Sequence, residues 1–249
     1  MNISKILKLL IRKPLHLLGV DLVRYEPPKL AVIEYEIPEV ERLIWLSSLN
    51  INTIIDIGAH TGEFSRSIRR LLPHPSIIAF EPLEKPYGEL VNRMAEASNF
   101  KAFRCALGDC NIMKTDMHRN EFTPSSSLLE MADLHKQAFP YTAQESSETV
   151  EVRRLDDVMA DMPLIDNILI KIDVQGYEDK VIRGGEKLIS RAKVLIIEAS
   201  FHKLYEGQPL FDEIYRSLRE KGFRYIGNLT QLYHPGDGTV LQADLILTR

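Results

Sequence analysis

The stretch TIIDIGAHTGEFSRSIRRLLPHPSIIAFEP, Thr53 to Pro82, constrains this chain more than any other. Ile54, Ile55 and Ile57 form an apolar run that is interrupted by Asp56 and closed by Gly58 and Gly62. Phe64, Ile68, Leu71 and Leu72 then recur at helical spacing, so the segment reads as strand, tight turn and helix. A second apolar run, Ile77 to Phe80, ends on Glu81, about twenty residues past the glycine turn, where nucleoside-binding folds place an acid for ribose hydroxyls. Two βα units therefore frame one adenosine-sized crevice.

Asp56 sharpens that reading. A carboxylate inside a buried parallel strand costs several kcal/mol, on the order of a charge's desolvation penalty, unless it is paired or faces a ligand. Nicotinamide folds show G-x-G-x-x-G without an acid ahead of the first glycine. The D-x-G-x-x-x-G spacing favours S-adenosylmethionine (SAM), whose sulfonium and amino group suit carboxylates.

With 249 residues, 45% hydrophobic and 27% charged, the chain has the composition of a globular protein long enough for one large α/β domain. A net charge of −4 leaves no domain-wide basic excess, which argues against a nucleic-acid partner. Cys105 and Cys110 are too few for a disulfide scaffold and suit a reducing compartment, so a cytoplasmic location is expected.

Residues 1–37 read as a basic amphipathic segment followed by a linker. Lys5, Lys8, Arg12 and Lys13 are interleaved with Ile3, Ile6, Leu7, Leu10 and Ile11, and Pro14 ends the pattern. Such a helix would pack on the domain or a partner subunit, or touch a membrane surface. Mixed charges and the lack of a small-residue cleavage site do not fit a signal peptide.

From residue 38 to 249 strands and helices alternate as parallel strands joined by right-handed crossovers. A helix over Glu39 to Leu49 precedes the first strand; helices over Glu84 to Ala97 and Pro209 to Lys221, and a third strand over Phe100 to Leu107, continue the pattern. Between about 110 and 148 the periodicity degrades into a polar, turn-rich insertion, read as a substrate-side wall or lid. His118 and His135 within it lack metal-ligand spacing. ETVEVRRL then alternates as a strand.

A second informative cluster is IDNILIKIDVQGYEDKVIRGGEKLISRAKVLIIEAS. Its first strand carries Lys171 and ends at Asp173, Gly176 makes a turn, and a helix runs from Glu178 to Leu188. The next strand ends at Glu198, with Ser200 and His202 beyond. Asp56, Glu81, Asp173 and Glu198 are thus four acids at four strand ends, where open α/β sheets bind ligands. Two final strands, Phe223 to Gly227 and Ala243 to Leu247, have no helix between them, so the later one can insert antiparallel.

Together these segments resemble the FkbM-type family of SAM-dependent methyltransferases. The resemblance rests on DIGAHTGEFS (Asp56 to Ser65), AFEP (Ala79 to Pro82), CALGD (Cys105 to Asp109), SSSL (Ser125 to Leu128), RLDD (Arg154 to Asp157), IKIDVQGYE (Ile170 to Glu178) and IIEAS (Ile196 to Ser200). It implies a Rossmann-like, doubly wound α/β fold: a mostly parallel seven-stranded sheet with one antiparallel strand and helices on both faces. It also implies SAM as methyl donor and a hydroxyl of a sugar, glycan or secondary metabolite as acceptor. Asp56, Gly58, Ala59, His60 and Gly62 would cradle the methionyl end, Glu81 the ribose hydroxyls, with Pro82 stiffening the turn and the backbone at Ala106 and Leu107 meeting adenine. His60 stands where relatives commonly have Asn.

A sugar hydroxyl is a poor nucleophile until its proton begins to leave, so a base helps. Asp173, Glu198 and His202 are the candidates, and Lys171, one strand repeat before Asp173, would hold that carboxylate ionised. Asp173 and Glu198 alone do not specify a metal site, and none is assigned. Two other classes use the same frame: a nicotinamide oxidoreductase, which the Asp56 spacing and the missing Tyr-x-x-x-Lys pair disfavour, and a binding protein without turnover.

Overall fold

The computed structural model describes residues 39–72 and 74–249. The expectations on the N-terminal segment, including membrane or subunit contact, lie outside the described residues. A seven-stranded sheet organises the rest, in the order β3-β2-β1-β7-β8-β10-β9. Its strands are β1 (Thr53–Ile57), β2 (Ser76–Phe80), β3 (Phe100–Phe103), β7 (Ile168–Ile172), β8 (Ala192–Ser200), β9 (Arg224–Tyr233) and β10 (Val240–Thr248). β1, β2, β3, β7 and β8 pair in parallel, whereas β10 inserts antiparallel between β8 and β9.

Alternation of side chains sends each strand's apolar residues to two cores. On one face Ile55, Ile57, Ile170, Ile172 and Ile197 pack with Val181, Ile182, Leu188, Ile214 and Leu218. These last come from helices α5 (Glu178–Gly184), α6 (Glu186–Ile189) and α7 (Phe211–Glu220). On the other face Ile54, Leu169 and Ile196 meet Leu43 and Leu46 of a 3-10 helix (Glu39–Leu49), Ile68 of α1 (Glu63–Leu71) and Leu90 of α2 (Glu84–Arg93). The sheet and its two helical faces are therefore built as the family resemblance implies.

Three expectations need correction. The strand drawn over Phe100 to Leu107 breaks at Arg104 and Cys105, giving β3 and a separate β4 (Ala106–Leu107). The helix drawn over Glu178 to Leu188 breaks into α5 and α6, where a Cβ at Gly185 would meet Leu155 at 2.7 Å. The insertion, read as polar and turn-rich with no sustained period, carries a regular strand: β5 (Ile112–Asn120) pairs antiparallel with β6 (Glu145–Arg153), and β4 joins β6 in parallel as a second, three-stranded sheet. Two short helices follow in the chain, α3 (Asp133–Ala138) before β6 and α4 (Leu155–Val158) after it.

Among the described residues no helix is long and apolar enough to cross a membrane.

Candidate active site

The carboxyl ends of β1, β2 and β7 open into one cleft of about 470 Å³. Asp56, Gly58, Ala59, His60, Glu81, Pro82, Ala106, Leu107, Lys171 and Asp173 all line it. Gly62, Glu198 and His202 do not.

The first turn is forced by packing. Gly58 has φ +79, and a Cβ there would lie 1.8 Å from the Asp173 carbonyl oxygen, so β1 and β7 approach closely only because this residue is glycine. His60 follows at φ 49, a left-handed conformation in which Asn and His are among the better-tolerated side chains. Its backbone N–H donates to Glu81 Oε2 at 2.9 Å, while Leu83 N–H donates to Glu81 Oε1 at 2.9 Å. The end of β2 is thereby tied to the turn after β1. Each Glu81 oxygen retains a lone pair for a further donor. Burial pushes the Glu81 carboxyl up to about 7, against the opposing pull of those two N–H groups.

Asp56 is fully buried and takes the Ser65 hydroxyl on Oδ2 at 2.6 Å, while Oδ1 has no hydrogen-bond partner among the described residues. Burial raises its carboxyl, with Lys171 and Ser65 pulling the other way. An unpaired buried carboxylate oxygen on a cleft wall is costly by itself and is relieved by a cationic ligand group. His60 Nε2 lies 2.7 Å from the Thr123 hydroxyl of the insertion, and burial lowers the imidazole's pKa, so the ring is neutral at neutral pH.

Lys171 and Asp173 share one face of β7, and their side chains meet at 2.8 Å. Burial alone would neutralise the ammonium, but the carboxylates of Asp173, Asp244 and Asp56 raise its pKa instead. Burial likewise pushes the Asp173 carboxyl up, and Lys171 with Gln175 outweighs it, holding the group below the ordinary carboxylate range. Asp173 is therefore ionised in the cleft.

The other two base candidates stand apart. Glu198 lies within β8, buried behind the cleft, and both its oxygens accept amide hydrogens, from Gln175 at 2.8 Å and Gln242 at 2.5 Å. Burial and then the carboxylates of Asp173, Glu178 and Asp244 push its carboxyl well above its ordinary value, and the two amides already occupy both oxygens. His202 is exposed and turned away from the cleft lining.

Sequence reasoning missed Gln175, Tyr177, Thr123, Thr230 and Asp244, all on the cleft wall. Asp244 carried a readable signal, an acid within the apolar run ADLIL, the same one that marked Asp56. Thr230 donates to Asp244 from the neighbouring strand. Carboxylate oxygens of Asp173, Glu198 and Asp244 come within 4.8 Å of one another, a spacing that fits a metal ion, yet the Lys171 ammonium already bonds this cluster.

The strand order reverses beside β1, and the cleft sits at that switch, so fold and site together define a Rossmann-like α/β protein built to hold a nucleoside-bearing ligand. Residues 56–225 match the methyltransferase FkbM domain, and the chain belongs to that family. It is 30% identical over 162 residues to the 2-O-methyltransferase NoeI of Sinorhizobium fredii, covering 62% of this chain and 66% of that protein. It is also 30% identical over 145 residues to methyltransferase 1 of Beauveria bassiana, covering 53% of this chain and 57% of that one. With the 31-O-demethyl-FK506 methyltransferase FkbM of Streptomyces tacrolimicus it shares 24% identity over 208 residues, 73% of this chain and 76% of the relative. The chain thus spans somewhat under two thirds of the length of the first two relatives.

Proposed function

We propose that this chain is a SAM-dependent O-methyltransferase acting on a hydroxyl of a small molecule or glycan. The observation that carries the reading is the cleft that brings Asp56 and Glu81 together with the Lys171–Asp173 pair. Family membership supports methyl transfer, and the printed activities of two relatives, at 2-O and 31-O positions, support oxygen as the acceptor atom.

The residues present fit the methyl donor. Five carboxylates line the cleft, Asp56, Glu63, Glu81, Asp173 and Asp244, against one ammonium, Lys171, which suits a ligand bearing an amine and a sulfonium. SAM, when bound, supplies a methyl group activated by positive sulfur. Asp56 Oδ1 would accept from the amine, the spare lone pairs of Glu81 from the ribose hydroxyls, and the walls at Ala106 and Leu107 would hold the base. Asp173, kept ionised by Lys171, would accept the proton of the acceptor hydroxyl, a contribution of roughly 10²–10⁴-fold for a positioned base. Thr123, Pro124, Ser126 and Leu128 of the insertion form the facing wall, in keeping with a substrate-side role. With Cys105 buried, Cys110 exposed and both thiols free, a reducing compartment such as the cytoplasm suits the chain.

The test is incubation of the full chain with methyl-labelled SAM and pooled small-molecule and glycan extracts, followed by mass spectrometry. A product heavier by one methyl group on oxygen is expected. Label recovered only on nitrogen or carbon would refute the O-transfer reading, and no SAM binding at all would refute the donor.

A further inference from the structure

Gln175 holds a conformation unusual for its residue type. Its φ is 56, in the left-handed region that β-carbon residues avoid, and such strain persists where the surrounding structure needs a side chain aimed. The carbonyl oxygen accepts from Ser127 Oγ at 2.6 Å, which fastens the turn after β7 to the insertion. The side chain bonds at both ends. Nε2 donates at 2.8 Å to Asp173 Oδ1 and at 2.8 Å to Glu198 Oε2, and Oε1 lies 2.9 Å from the Tyr205 hydroxyl. A primary amide has two hydrogens to give, and both are used here, one on each carboxyl group. The Tyr205 hydroxyl has one hydrogen for two acceptors, Gln175 Oε1 and the Ser125 carbonyl oxygen at 3.0 Å, so the amide's direction is set by the Asp173 carboxylate, which can only accept.

The surroundings explain what the amide prevents. Asp173 is faced by Lys171 on its own strand, by Glu198 of β8, Asp244 of β10 and Asp56 of β1, by His60 of the first turn and by Glu178 of α5. Carboxyl groups this crowded share protons unless donors separate them, and a shared proton would disable Asp173 as a base. Lys171 holds Asp173 Oδ2, and Gln175 holds Oδ1.

We infer that Gln175 is a positioning residue for methyl transfer, its amide standing between Asp173 and Glu198 so that the two carboxyl groups are held apart and Asp173 is aimed into the cleft. This rests on the reading of Asp173 as the base. Tyr205 and Ser127 act at one remove, by holding the amide.

The test uses the full chain labelled with carboxyl-¹³C aspartate. The Asp173 resonance is assigned by its loss in Asp173→Asn and titrated in the wild type, Gln175→Leu and Gln175→Glu. Loss of a donor, or addition of a like charge, raises a carboxyl pKa, so the Asp173 titration is expected to move up by at least about one pH unit in both variants. Transfer from methyl-labelled SAM to a panel of neutral methyl glycosides is expected to fall about tenfold or more in Gln175→Leu as the carboxylate loses its aim, and the acid limb of the pH profile is expected to move up with the Asp173 titration. SAM affinity is expected to stay within about twofold, which shows that the fold is intact. Gln175→Glu preserves shape and carries the test if the leucine variant misfolds. An Asp173 titration that does not move in the folded variants overturns the role of Gln175. Full transfer by Asp173→Asn instead overturns the base reading, and the two failures are thereby told apart.

Discussion

The Lys171 ammonium lies 2.8 Å from the Asp173 carboxylate, two residues apart at the carboxyl end of β7 and on the wall of the cleft. This pair separates binding from chemistry. Asp173→Asn is expected to keep the fold and lower methyl transfer by at least about a hundredfold, the lower end for a lost base. Comparing transfer rate with SAM affinity in the same preparation checks it. Equal losses of both would move Asp173 to a cofactor-binding role, and full activity would refute both roles.

The glycine turn predicts an order of damage. Gly58→Ala places a Cβ 1.8 Å from backbone oxygen, whereas Gly62→Ala meets only Leu90 Cδ1, at 2.7 Å, the end of a flexible side chain. Both sit at positive φ, which costs about 1–2 kcal/mol for an alanine. Gly62→Ala is expected to lose about that much in urea denaturation, and Gly58→Ala distinctly more, because β1 and β7 must part. Equal losses would mean that the close approach of Gly58 to Asp173 contributes nothing.

Much of this frame was legible because strands β1, β2, β7 and β8 are buried on both faces and so read as apolar runs, with Asp56 and Lys171 as visible exceptions. The insertion was not. Ile112, Met113, Lys114 and Asp116 of β5 are all exposed and only Met117 and Asn120 of that strand are buried, so it is held largely by pairing with β6 and leaves no apolar alternation. Glu198 and Asp173 looked equivalent as acids near strand ends. What divides them is nonlocal: Gln242 of β10 covers Glu198, and β10 reaches it by inserting between β8 and β9. His202 offered only chain proximity, and the loop after β8 carries it to the surface.

Glu81 predicts a pH dependence. Its carboxyl is raised from 4.5 to about 7 by burial. The protonated form is therefore favoured by folding: this contribution to stability is complete below about pH 4.5 and is lost as pH rises through about 7. Ribose hydroxyls need the ionised form as acceptor, so binding SAM below that pH releases a proton. SAM affinity is expected to rise with pH by up to about tenfold per unit toward 7 and then level off. Calorimetry in buffers of different ionisation enthalpy reads both the affinity and the proton. A flat profile from pH 5 to 8 would place Glu81 away from the ligand.

The most direct measurement is a calorimetric titration of SAM into the wild type and Glu81→Ala at pH 8, with NAD as the comparison ligand. SAM is expected to bind the wild type and NAD not to bind. Glu81→Ala is expected to weaken SAM by about 2–3 kcal/mol, as two hydroxyls lose a charged acceptor, and to lower the melting temperature as well, because the His60 and Leu83 N–H groups lose theirs. NAD binding in place of SAM, or SAM binding that Glu81→Ala leaves unaltered, would contradict the account.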